Sequence, residues 1–164
     1  MPFSPMSPPM SVARGALAIL KEVARHLLRR PVVGIAAAAQ TEDGRWLLIR
    51  RADTGTWALP GGTLEWGETL TRSIVRELGE EAGVEECRVE RVVGVYSRPD
   101  RDPRFHAVTV VVACRIAPPV RPPANPLEIR EARLFAAADA PRPLANGMDD
   151  MFQDALRGDA ARVE

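Results

Sequence analysis

The segment Gly62 to Val84, GTLEWGETLTRSIVRELGEEAGV, constrains the chain more than any other part of it. Glu68 lies just before an expected helix, and Glu77, Glu80 and Glu81 lie within it. Like charges three and four positions apart weaken a helix slightly. At that spacing, the side chains of Glu77, Glu80 and Glu81 emerge from one face within reach of a common point. Leu70, Ile74 and Leu78 form a separate apolar stripe suited to docking on a sheet. Two readings fit the spacing: a solvated acidic face, or a set of oxygen ligands for a hard divalent cation. Two neighbours favour the second. Gly61-Gly62 makes a turn in which backbone can approach a ligand closely, and Arg76 is placed to hold a glutamate by ion pairing.

The rest of the chain frames this segment. At 164 residues it suits one compact domain with length left for a tail. Lys plus Arg and Asp plus Glu balance at 22 each, which gives no electrostatic case for nucleic acid or an acidic membrane as partner. Cys87 and Cys114 form no CxxC pair, and no apolar run is long enough to span a bilayer. The expected location is cytoplasmic.

Residues 1–10, rich in proline, read as a disordered leader. An amphipathic helix is expected over 11–30, capped by Ser11 and stopped by Pro31. It would pack on the domain or on a second subunit, so a homodimer is one expectation. The main domain is expected over 31–158, with a tail over 159–164. VVGIAAAA and RWLLIRR flank the turn Glu42-Asp43-Gly44 as two strands, and WALPGG is a short third. A helix is expected from about Thr69 to Ala82, with Gly83 as its left-handed cap. RVERVVGVYS, AVTVVVACRI and IREARLF read as further strands, and residues 149–156 as a closing helix. This order predicts an α/β fold, a mixed sheet between helices.

The acidic segment resembles, at every signature position, the box of the Nudix hydrolases: Gly62, Glu68, Arg76, Glu77, Leu78, Glu80, Glu81, Gly83 and Val84. Nine positions at fixed spacing over 23 residues make a specific pattern. The resemblance runs from about Val32 to Leu156 and implies an α/β/α sandwich that hydrolyses a nucleoside diphosphate linked to a group X. By position in the motif, Glu77, Glu80 and Glu81 would bind Mg2+ or Mn2+, with the Gly62 carbonyl as a further ligand. Arg76 would orient Glu77, and Glu68 would support the cluster. The family's general base comes from the box or from a later loop, where Glu128 is the leading candidate and Glu131 the second.

The loop YSRPDRDPRFH is similar to a stretch of the ADP-ribose pyrophosphatases in this superfamily, with departures at Arg98 and Phe105. Arg101 and Arg104 would meet phosphates or a terminal ribose. Phe105 and Tyr96 would offer an apolar face to a base, and Arg50 and Arg51 would reach the phosphates. RDP is also good turn chemistry, so a purely structural loop is the competing reading. His106 reads as structural. LANGMDDMFQDAL is similar to the closing segment of the same subgroup, which would bring Asp149 and Asp150 near the mouth of the site; a capped surface helix is the other reading. The leading expectation is cleavage of ADP-ribose or a related nucleotide sugar. The first alternative is a nucleoside triphosphate, including an oxidised one. The second is a non-catalytic nucleotide sensor, against which stand the intact acids and an N-terminal segment too short for a helix-turn-helix.

Overall fold

A computed structural model gives the protein's structure and describes residue 17, residues 19–24 and residues 30–164. The expected leader over 1–10 lies outside the described residues. Of the expected helix over 11–30, residue 17 and residues 19–24 are described and are helical, and residue 30 is described and is not. The chain divides into two units, Met1–Pro31 and Val32–Glu164. No described helix is long and apolar enough to cross a membrane.

The second unit is built on a mixed sheet of seven strands: β1 (Val32–Thr41), β2 (Trp46–Arg51), β3 (Trp57–Ala58), β4 (Cys87–Tyr96), β5 (Ala107–Ile116), β6 (Ile129–Phe135) and β7 (Arg162–Val163). The order is β3-β2-β1-β5-β4-β7, with β6 also paired to β2. β1 and β5 run parallel over their full lengths, from Val32 opposite Ala107 to Thr41 opposite Ile116. β4 is antiparallel to β5, and β6 is antiparallel to β2.

The run of apolar residues in β1 has a simple cause. Successive side chains on a strand point to opposite faces, and both faces of β1 are covered. Ile35, Ala37 and Ala39 join a core with Ile74, Leu78 and Ala82 of helix α1 (Leu70–Ala82). Ala36 and Ala38 join a second core with Met151, Phe152 and Ala155 of helix α2 (Asp149–Arg157). Continuous hydrophobicity is what a strand buried on both sides requires. The result is an α/β/α sandwich, as expected from the sequence.

Local signals set the ends of α1. Thr69 is the N-cap, its hydroxyl accepting from the Arg72 N–H at 3.3 Å. Gly83 closes the helix at φ 66°, where an added Cβ would lie 2.0 Å from the Arg121 carbonyl oxygen. The expected tail over 159–164 is corrected: Arg162 and Val163 form β7, parallel to Gly94 and Val95 of β4, and the Glu164 N–H donates to the Val95 carbonyl at 3.0 Å. Two paired residues between polar neighbours carry too little pattern to read as a strand.

Candidate functional site

The chain after β3 runs back along β1, held by Ala37 N–H to the Pro60 carbonyl at 2.8 Å, Ile35 N–H to the Gly62 carbonyl at 2.9 Å and Leu64 N–H to the Val33 carbonyl at 2.9 Å. Gly61 and Gly62 are thus squeezed between β1 and the acids of α1. A Cβ on Gly61 would stand 2.2 Å from the Ile35 carbonyl oxygen, and one on Gly62 would stand 2.5 Å from Glu77 Oε1. A larger residue fits at Gly61 only if the β1 backbone shifts, and at Gly62 only if the Glu77 carboxylate is displaced. The Gly62 carbonyl, expected to face a metal, is committed to Ile35 through one lone pair and keeps the second.

The four box acids occupy three environments. Glu80 is exposed. Glu77 and Glu81 are largely out of water, contrary to a wholly solvated acidic face. Their i, i+4 spacing turns both towards the Gly61-Gly62 turn, and Glu81 accepts the Gly61 N–H at 2.7 Å. Burial pushes the Glu81 carboxyl up to about 8; the Gly61 N–H opposes this, and the like charges of Glu77 and Glu128 add to it. Burial also raises Glu77, against the pull of Arg76. Glu68 departs in the opposite direction. Both its oxygens grip Arg76, Oε1 at 3.0 Å from Nε and Oε2 at 3.1 Å from Nη2, and that grip lowers its carboxyl to about 2.

Arg76 is therefore the hub. Its Nη1 donates to Glu77 at 2.9 Å and to Glu80 at 3.3 Å, and its Nη2 also reaches Ser73 Oγ at 3.3 Å. The planar guanidinium offers five donors in a fixed fork, which is what holding three carboxylates requires. Arg76 relieves the repulsion that the spacing implied and sets the Glu77 rotamer. Glu68 holds Arg76 in turn, so the support expected of it reaches the other acids through Arg76. Among the described residues, no three acidic, histidine or cysteine side chains close around a common point. The donor set still suits a hard cation. It is all oxygen, and of its two largely buried carboxylates Glu77 meets the charge of Arg76 while Glu81 is held by a backbone N–H, both beside the half-buried Gly61-Gly62 turn.

A cleft of about 590 Å3 opens over this turn, with Gly61, Gly62 and Glu81 on its lining. Arg51 lines it and Arg50 does not, because adjacent strand residues face opposite ways. Arg50 instead pairs with Glu131 across the β2–β6 register at 3.3 Å and donates to the Gly55 carbonyl at 3.0 Å. Its expected contact with substrate is corrected, and Glu131 is accounted for as its partner. Arg51 is held by Asp53, at 2.9 and 2.5 Å.

The 97–106 loop supplies the opposite wall with Arg104 and Phe105. Asp102 grips Arg104 Nε at 2.9 Å and Nη2 at 2.7 Å, while the Arg104 guanidinium lies 5.1 Å from the Phe105 ring centroid. Glu128 lines the cleft from the loop before β6, and its backbone carbonyl accepts the Ala52 N–H at 2.8 Å.

Two further expectations change. Tyr96 is fully buried in the second core and its hydroxyl donates to Asp154 at 2.8 Å, so its ring offers no face to a ligand. Arg101 borders the cleft, but its side chain is only 6% exposed and its guanidinium is consumed by Asp150 at 2.5 Å, by Glu164 and by the Gly147 carbonyl at 2.8 Å. Asp149 holds Arg142 at 2.8 Å and the Leu144 N–H at 2.9 Å, a structural role. His106 Nε2 lies 2.8 Å from the Ser97 carbonyl, also structural. Asp53 and the cleft-lining Leu127 went unrecognised in the sequence. Asp53 was legible as an acid two residues from an arginine, whereas nothing in a proline-rich loop marks Leu127.

The NUDIX domain pattern matches residues 28–155. An ADP-ribose pyrophosphatase of Methanocaldococcus jannaschii is 42% identical over 89 residues, covering 52% of this chain and 52% of that protein. A MutT-like protein of Streptomyces ambofaciens is 43% identical over 83 residues, 51% of each. The matched segment thus spans about half the length of these curated relatives. Among solved structures, an ADP-ribose pyrophosphatase from Streptococcus suis aligns with a TM-score of 0.67 at 26% identity, over 82% of this chain and 100% of that one. A MutT NUDIX hydrolase from Burkholderia pseudomallei gives 0.64 at 31%, over 77% and 98%. Since the domain match runs across most of the sequence and the fold agrees with it, this chain belongs to the Nudix hydrolase superfamily.

Proposed function

We propose that this protein is a divalent-metal-dependent pyrophosphohydrolase that cleaves the diphosphate of a nucleoside diphosphate linked to X, with ADP-ribose or a related nucleotide sugar as substrate. The observation that carries this reading is the complete acid set of the box, with Glu81 buried on the cleft floor and bonded to the Gly61 N–H. A Mg2+ or Mn2+ ion held by Glu77, Glu80 and Glu81, with the free lone pair of the Gly62 carbonyl, would neutralise diphosphate oxygens and make water a better nucleophile. The chain's own residues do the rest. Arg51 and Arg104, each pinned by an aspartate two residues away, offer fixed guanidinium edges to the two phosphates. Phe105 offers a partly exposed apolar face to a base. Glu128 stands at the cleft as the carboxylate that takes the proton from the attacking water.

The likeness to an ADP-ribose pyrophosphatase supports the substrate class. The likeness to a MutT-like protein supports a second reading, release of pyrophosphate from a nucleoside triphosphate. Product analysis separates them. AMP and ribose 5-phosphate from ADP-ribose, in Mg2+ or Mn2+, is the expected result. Pyrophosphate from a triphosphate, with ADP-ribose untouched, favours the second. Full activity in both Glu80→Gln and Glu81→Gln overturns the metal assignment.

A further inference from the structure

The 97–106 loop is anchored from below by a residue outside every motif considered so far. The Glu164 carboxylate accepts the backbone N–H groups of Ser97 at 2.8 Å and Arg98 at 2.9 Å, and Arg101 Nε at 3.1 Å. A second Arg101 nitrogen reaches its other oxygen. Arg101 in turn binds Asp150 at the start of α2 through two contacts of 2.5 and 3.1 Å, and lies 5.2 Å from the ring centroid of the buried Tyr96. β7 brings Glu164 there by pairing with β4. The Glu164 side chain is only 10% exposed and that of Arg101 6%, so these charges are held largely out of water. Charge-assisted hydrogen bonds of this kind are strong and geometrically selective.

What they hold is the foot of the cleft wall. One residue beyond Arg101, Asp102 begins the group that fixes Arg104 and leads to Phe105. The loop's other end is tied by His106 to the Ser97 carbonyl. A ten-residue loop fastened at its foot and across its neck presents its tip in one geometry, with little ordering left for the ligand to impose.

We propose that Glu164 and Arg101 are positioning residues for nucleotide binding, a carboxylate–guanidinium clamp joining β7 and α2 to the 97–106 loop so that Arg104 and Phe105 form a preset wall. The kinetic part rests on the hydrolase reading above; the structural part does not.

The test uses the full chain with Glu164→Ala and the milder Glu164→Gln. Two readouts are followed: amide hydrogen exchange, and steady-state kinetics on whichever nucleotide the unmodified protein cleaves fastest. In Glu164→Ala, amides of residues 97–106 should exchange at least about tenfold faster while those of α1 keep their rates. KM should rise at least about tenfold, with kcat within about twofold. Glu164→Gln, which keeps an acceptor and loses the charge, should shift both in the same direction by less. Unchanged loop exchange overturns the clamp, as does faster exchange spread over the whole chain, the mark of a merely structural residue. A fall in kcat at unchanged KM also overturns it. If the unmodified protein cleaves no nucleotide, the hydrolase reading fails, and the exchange result alone still decides the clamp.

Discussion

At the residue scale, Gly61 and Gly62 share one motif turn but fail differently when substituted. A methyl group on Gly61 would meet backbone, the Ile35 carbonyl at 2.2 Å, which cannot move without opening β1. A methyl group on Gly62 would meet the end of a side chain, Glu77 Oε1 at 2.5 Å, which can swing aside. Gly61→Ala should therefore lower the melting temperature substantially, and Gly62→Ala should leave a folded protein that has lost most of its turnover. Calorimetry and kinetics on the pair check this; a folded and fully active Gly62→Ala would refute the role given to Glu77. Arg76→Lys is the companion test. One ammonium cannot hold Glu68 through two bonds and reach Glu77 as well. The apparent metal requirement should rise about 10- to 100-fold, the usual cost of losing a group that orients ligands. The box made these residues legible one by one, because their spacing on a helix fixes who faces whom. It left the division of labour unread. That Glu68 serves Arg76, that Glu81 is buried and that the Gly62 carbonyl is half committed all follow from how the turn lies against β1, a contact between segments distant in sequence.

At the scale of elements, α1 carries opposing demands on its two faces. Its acids repel one another and are held by Arg76, while Ile74, Leu78 and Ala82 fasten it to β1. Leu78 is fully buried, and Leu78→Ala should cost about 2–5 kcal/mol by deleting buried methyl groups and leaving a cavity. Because the helix also positions the acids, turnover measured well below the new melting point should fall too, which a purely global destabilisation would not produce. Denaturant unfolding and kinetics at low temperature separate the two effects. The C-terminal end of this helix was legible to the residue, since Gly83 announces it chemically, while its start was read one residue early, at the Thr69 that caps it. The long strands β1, β4 and β5 were legible from their β-branched and alanine runs. β7 was not: a two-residue strand has no period, and its meaning comes wholly from the strand it joins.

At the scale of the whole molecule, the acidic side chains hold distant segments together, and their titration should show in stability. Arg101 and the N–H groups of Ser97 and Arg98 lower the Glu164 carboxyl from the ordinary 4.5 to about 2. Arg101 lowers Asp150 as well, against the cost of burial. A carboxyl lowered in the folded state contributes stability that is fully present above its unfolded value and is lost as pH falls through its folded value. The clamp between β7, α2 and the loop should therefore weaken from about pH 4.5 down to about pH 2. Glu68, lowered to about 2 by Arg76, titrates over the same window, so the decline has a source on each side of the sheet. Glu164→Gln cannot gain a proton there and removes only one of these lowered carboxyls. Its melting temperature should start below that of the unmodified protein at pH 6, fall less steeply between pH 4.5 and 2, and converge on it near the acid end. Scanning calorimetry across that range decides the matter: parallel curves would mean that Glu164 contributes nothing through its charge, and the loop's fixed geometry would then need another cause.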